Sequence, residues 1–207
     1  MHPTEQDPSE TLQEIRSIME RSARFLSLSG WSGVWAGCVA LIGALIAHDW
    51  LQRLNWNPSR YTDLIRMKFI FLGIIIFIAA LGGGYLLTLL KVKQQKQQFW
   101  NHASRQLVLQ IAIPLLAGGF FVIGFLNYGN EMYIAPSCLI FYGLALLNGS
   151  KYTLTDIRYL GYLEITLGCI CIFFPGTGLY FWAAGFGVLH ILYGIIMWNK
   201  YDRKKVQ

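Results

Sequence analysis

Charge is what this sequence has least of. Only 14% of its 207 residues are Asp, Glu, Lys or Arg, against 55% apolar residues and a mean hydropathy of +0.43. A soluble domain carries about 25% charged residues, so an ordinary water-exposed globule is excluded. Cysteine is scarce too: Cys38, Cys138, Cys169 and Cys171 lie inside apolar runs with no CxxC spacing, which argues against a disulfide framework and against a tetrathiolate zinc site. There is no GxSxG, no HExxH, no glycine-rich phosphate loop after a strand and no aspartate cluster for magnesium-assisted phosphoryl transfer. The chain shows no cofactor signature.

What is present is length in apolar runs. About 20 apolar residues cross the ~30 Å hydrocarbon layer as a helix, and six stretches approach that length: 28–47, 68–90, 107–127, 132–148, 158–175 and 179–198. The expected fold is all-α, an integral membrane bundle of six transmembrane helices arranged as three helical hairpins. Its parts are a cytoplasmic N-terminal segment with an amphipathic helix (1–27), the membrane domain (28–198) and a basic tail (199–207). Connections this short leave no room for a separate catalytic domain.

Orientation follows from the cations. Thirteen of the 17 basic residues fall beside the N-terminus, the 91–105 link, the 151–158 link and the tail; the other four, Arg53, Arg60, Arg66 and Lys68, share the first opposite loop. The positive-inside rule then puts both termini in the cytoplasm of a bacterial inner membrane. Basic clusters beside spans favour anionic head groups, so the net charge of +6 calls for a bilayer and for no nucleic acid. The acidic start, MHPTEQDPSE, is followed by no short apolar core with a cleavage site, so the first span is expected to serve as the insertion signal.

Ahead of that span, Asp7, Pro8 and Glu10 form a helix-start signature, and Leu12, Ile15, Met19 and Leu26 recur at helical spacing. This amphipathic helix suits the inner membrane surface, or a docking face for a cytoplasmic partner or a second copy. The first loop carries Trp50, Trp56 and Tyr61, aromatic rings suited to the head-group layer.

A repeat runs through the second half. Tyr142, Gly143 and Asn148 recur 51 residues later as Tyr193, Gly194 and Asn199, each copy closing an even-numbered span; spans one and two lack the signature. Gly33 with Gly37, Ala79 with Gly83 and Ala183 with Gly187 stand four apart, the spacing that lets helix backbones approach closely in lipid.

Charged groups at membrane depth usually face the bundle interior and have a partner. Glu164 and His190 lie at matching depths on the last two spans, each on its own glycine stripe: Gly161, Glu164, Gly168 and Gly187, His190, Gly194. A four-residue turn, PGTG, joins these spans, so they are expected to be antiparallel neighbours with the two side chains in contact, directly or through one water. Three readings follow: a buried lock between helices, a titrating site acting as a pH switch or proton step, or a catalytic or metal site. The last has two ligands where catalytic zinc needs three.

Residues 161–197, GYLEITLGCICIFFPGTGLYFWAAGFGVLHILYGIIM, resemble a hairpin of the HdeD-like six-span bacterial membrane proteins. The flanking SETLQEIRSIMERSARFLSLSG and LHILYGIIMWNKYDRK are similar to small bacterial membrane proteins with no assigned activity. The resemblance implies a six-span fold and a link to acid resistance. The expectation is therefore a multi-pass inner-membrane protein, a non-enzymatic accessory, regulatory or stress-related component, with a small transporter or pH-sensing protein using Glu164 and His190 as the alternative.

Overall fold

The structure is a computed structural model that describes residues 29–54, 63–94 and 100–203. The expected N-terminal amphipathic helix, and Trp56 and Tyr61 of the first loop, lie outside the described residues. Among the described residues the chain is helical, with no strand. We number the long helices α1 (Gly30–Arg53), α2 (Asp63–Gln94), α3 (His102–Asn127), α4 (Ile134–Gly149), α5 (Ile157–Ile172) and α6 (Gly178–Asp202). All except α5 are long and apolar enough to cross a membrane, α4 when taken with the 3-10 turn that leads into it (Glu131–Gly149, 19 residues); α5 has 16 residues.

Local sequence explains several boundaries. Asn101 accepts a hydrogen bond from the Ser104 amide at 2.8 Å, and the Ser104 hydroxyl accepts from the Asn101 amide at 2.9 Å. This reciprocal box satisfies donors that the first turn of α3 leaves open. Gly129 (φ 69°) and Gly176 (φ 86°) take left-handed backbone in the α3–α4 and α5–α6 turns, where an L side chain would be strained. Pro136 lies in the first turn of α4 and Pro175 in the turn after α5. α6 is not a uniform α-helix: Ala183–Leu189 and Trp198–Asp202 are π-helical.

The helices associate through glycine. A methyl group on Gly143 of α4 would come within 2.6 Å of the Gly161 carbonyl oxygen and 3.0 Å of the Ile165 nitrogen on α5; one on Gly168 would meet the Pro136 carbonyl oxygen at 2.9 Å and the Ile140 nitrogen at 3.1 Å. The α6/α1 seam repeats this. A methyl group on Gly194 would meet the Gly30 carbonyl oxygen at 2.7 Å and the Val34 nitrogen at 2.6 Å, and one on Gly37 the Gly187 carbonyl oxygen at 2.6 Å and the Ile191 nitrogen at 2.9 Å. Pro136, Ile140 and Gly143 of the first seam stand 51 residues before Gly187, Ile191 and Gly194 of the second. The sequence repeat is thus a repeat of helix contact, and it joins the end of the chain to its beginning.

The last two spans do touch, as expected, but neither has the other as its main partner. α1 with α2 and α3 with α4 pack as antiparallel hairpins, but α5 packs mainly on α4 and α6 mainly on α1. The glycine stripes cause the difference: that of α5 faces α4 and that of α6 faces α1, so neither is available to the other. Two three-helix bodies result, one of α3, α4 and α5 and one of α6, α1 and α2. α2 buries only Thr88 and Val92, and Gly73 and Gly82 on it and Gly119 and Gly124 on α3 face open space. The exposed Phe71, Ile74, Ile75, Phe77, Ile78 and Leu81 give α2 a surface suited to lipid.

Candidate polar cluster in the bundle interior

Glu164 rises from the middle of α5 into the space between α4 and α6. It is 0% exposed, and His190 on α6 is 6% exposed. The His190 Nδ1 lies 3.4 Å from the Glu164 Oε1. The stripes that carry these side chains face other helices, yet α5 and α6 bring the side chains together at the edges of those stripes.

The imidazole has two closer partners. Its Nδ1 is 3.0 Å from the Gly185 carbonyl oxygen. A carbonyl only accepts, so this nitrogen carries a hydrogen and donates it there. Its Nε2 is 2.8 Å from the Tyr142 hydroxyl of α4. With a neutral ring the hydroxyl donates to Nε2; with an imidazolium Nε2–H donates to the phenol oxygen. Gly185 lies in the π-helical segment that ends at Leu189, and such segments recur at functional sites. The same glycine makes room for the acid: a methyl group there would collide with the Glu164 Oε2 and the Leu139 side chain.

Aromatic rings enclose the cluster. Phe186 stacks on His190 with centroids 5.8 Å apart and an 18° interplanar angle, and packs on Tyr142 at 5.0 Å; Trp182 covers Phe186 at 5.2 Å. Neither Glu164 oxygen has a hydrogen-bond partner among the described residues. Two clefts between α1 and α2, one at Trp50 and Phe69 and one at Val39 and Ile76, touch no member of the cluster.

Of the repeat signature, Tyr142 is part of the cluster, whereas the Tyr193 hydroxyl is buried without a hydrogen-bond partner among the described residues. Gly143 and Gly194 form the seams; Asn148 is half-buried and Asn199 exposed. From the sequence, Tyr142 is assigned to the repeat alone, with no chemical role. Its signal was a phenolic hydroxyl deep in an apolar span, a group that seeks a partner when buried.

Two carboxylates tie helix ends on the side where the expected cytoplasmic links fall. Asp202 at the end of α6 accepts from the Gly30 amide that opens α1 (3.0 Å) and pairs with Lys91 of α2 (2.6 Å). Asp156, just before α5, accepts from Lys200 (2.5 Å) and from the Tyr201 hydroxyl (3.1 Å). At the opposite end Arg66 pairs with Glu131 at 2.8 Å, linking α2 to the turn between α3 and α4. Among the described residues no three His, Cys, Asp or Glu side chains converge as a metal-ligand set. Comparison of the chain with protein-family models, with curated proteins and with solved structures gives no match in any of the three.

Proposed function

We propose that this is a six-span protein of a bacterial inner membrane, with both termini cytoplasmic, acting as a non-enzymatic accessory, regulatory or stress-related component. Lys91, Lys93, Arg105, Lys151, Arg158 and Lys200 gather at one end of the helices and Arg53, Arg66 and Lys68 at the other, a bias that favours the first end as cytoplasmic. α5 rises only about 24 Å, and its place against α4 supports its counting as a sixth crossing in a locally compact bundle.

The observation that carries this reading is the closure of the polar cluster. Glu164 is 0% exposed and His190 is shared among three helices beneath a roof of Phe186 and Trp182. Such a site serves a lock or a sensor better than a surface that receives a substrate. A second reading, a small transporter or pH-sensing protein, has one observation in its favour: neither Glu164 oxygen has a hydrogen-bond partner among the described residues, while His190 stands 3.4 Å away. The resemblance of residues 161–197 to HdeD-like proteins, with their link to acid resistance, points the same way.

Two measurements test these readings. Reporter fusions at residues 129, 176 and 207 should place the first two outside and the last inside. Purified protein in liposomes carrying a pH dye should show no proton flux above empty vesicles on the first reading. Flux abolished by Glu164→Gln would replace it with the transporter.

A further inference from the structure

The two glycine-locked bodies meet through a small set of contacts. Within each body, backbones interlock at the α4/α5 and α6/α1 seams. Between bodies the described contacts are of a different kind. They comprise the Glu164–His190–Tyr142 cluster, Asp156 with Lys200 and Tyr201, and Arg66 with Glu131. Apolar contacts join them as well: Ala135 against Gly178, Leu139 against Gly185, Tyr142 against Phe186, Phe174 against Phe181, and Val92 against Ala103 and Leu107.

The third seam, between α2 and α3, explains why the bodies are separable. Val92 stands 51 residues before Gly143, at the position where the other two seams have glycine. It packs on Ala103 and Leu107, but a valine side chain holds backbones apart where a glycine lets them touch. Besides Val92, α2 buries only Thr88. The ring of helices is therefore closed by glycine at two seams and left unlocked at the third.

We propose that the two bodies move against each other and that one proton shared by Glu164 and His190 holds them together. The inference rests on the proton-responsive reading above and adds the moving parts. Glu164 belongs to one body and His190 to the other. Among the described residues the titratable groups facing Glu164 are His190 from α6 and Tyr142 from α4, and on α1 it is Gly33 that lies against the His190 carbonyl. With the proton, the acid and the imidazole have no net charge between them, as a neutral pair or as an ion pair. When the proton leaves to bulk water, one uncompensated negative charge stays in the interior with no hydrogen-bond donor at either oxygen among the described residues. That state is relieved by admitting water between α5 and α6. Closure binds the proton and opening releases it, so higher pH favours the open form.

The chain carries its own probes. Cys38 on α1 and Cys169 on α5 are exposed and lie on different bodies. With Cys138 and Cys171 replaced by Ala, spin labels on this pair report the distance between bodies in nanodiscs. From about pH 5 to about pH 9, the range in which a histidine-linked proton exchanges, a second, displaced distance population should grow, and Glu164→Gln should keep the low-pH distribution throughout. A distribution independent of pH in the otherwise native protein overturns the proposal, as does a pH response that survives Glu164→Gln. Should that variant fail to give monodisperse protein, infrared difference spectra of the native chain over the same range read the proton directly. A protonated-carboxyl band that fades in step with the distance change upholds the proposal, and its absence overturns it. Growth that depends on pH through Glu164 without any movement would defeat the mechanical inference alone, whereas movement with no such growth phenotype would defeat the stress-related reading.

Discussion

The α4/α5 seam and the α5/α6 joint share one helix and are built on opposite principles. At the seam, Gly143, Gly161 and Gly168 bring backbones into contact along the helix length, and the association is dispersion at close range. At the joint, one acid, one imidazole and one terminal ion pair do the joining. Close-packed contacts are insensitive to pH and intolerant of volume. Polar contacts have the reverse properties. The α6/α1 seam follows the first pattern, so the molecule alternates rigid apolar seams with one chemically responsive joint.

The largest effect expected from that contrast is at the seams. Gly143→Val or Gly37→Val would drive a branched side chain into the carbonyl of Gly161 or Gly187, forcing the helices apart at a cost of about 3 kcal/mol or more. Gly82→Val and Gly119→Val place the same volume in open space and should change stability by less than about 0.5 kcal/mol. Thermal unfolding in detergent, followed by loss of the monodisperse peak, separates the two pairs. Equal losses would mean that glycine is not what joins these helices.

Next in size is the joint. His190→Ala removes the partner of the Tyr142 hydroxyl and the basic group beside Glu164, and should cost roughly 3 kcal/mol, the range for breaking a buried pair. Tyr142→Phe removes one hydrogen bond and should cost about 1 kcal/mol. If the two act through one contact, the double variant should lose less than the sum, and a cycle of the four proteins measures the difference. Additive losses would show that the hydroxyl and the ring are energetically independent.

How much of this was legible beforehand differs by element. Helical content and apolar length were readable because hydropathy is a local property of each run. The matching height of Glu164 and His190 along their helices was readable because rise per residue is fixed, and the two side chains stand 3.4 Å apart. The rotational setting of α5 and α6 was not. Gly161 and Gly168 specify that some backbone comes close, but nothing local says whether it belongs to α6, adjacent in sequence, or to α4. The repeat held the missing information: Gly143 and Gly194 mark equivalent contacts, and equivalence requires α6 to meet α1 as α4 meets α5. Tyr142 stayed without a role because hydrogen bonding between helices that are not consecutive is a tertiary fact. Asp202 and Asp156 were overlooked because the charge count on that side was read for cations alone.

The smallest effects should come from those two carboxylates, and their order tests the division into bodies. Asp202 works inside one body, capping α1 and pairing with a Lys91 side chain only 12% exposed. Asp202→Asn should cost about 1 kcal/mol, the usual worth of a helix cap. Asp156 works between bodies and pairs with a Lys200 side chain that is 53% exposed, so Asp156→Asn should cost no more than about 0.5 kcal/mol and the difference should fade in high salt. The readouts should separate as well. Asp202→Asn lowers the melting temperature of the native chain and leaves the Cys38 to Cys169 distances alone, because its two partners, Gly30 and Lys91, belong to the same body and α1 keeps its seam with α6. Asp156→Asn scarcely moves melting but broadens those distances, because it frees one end of the α5/α6 joint while the buried end still holds. The opposite assignment of these two readouts would erase the boundary between the bodies.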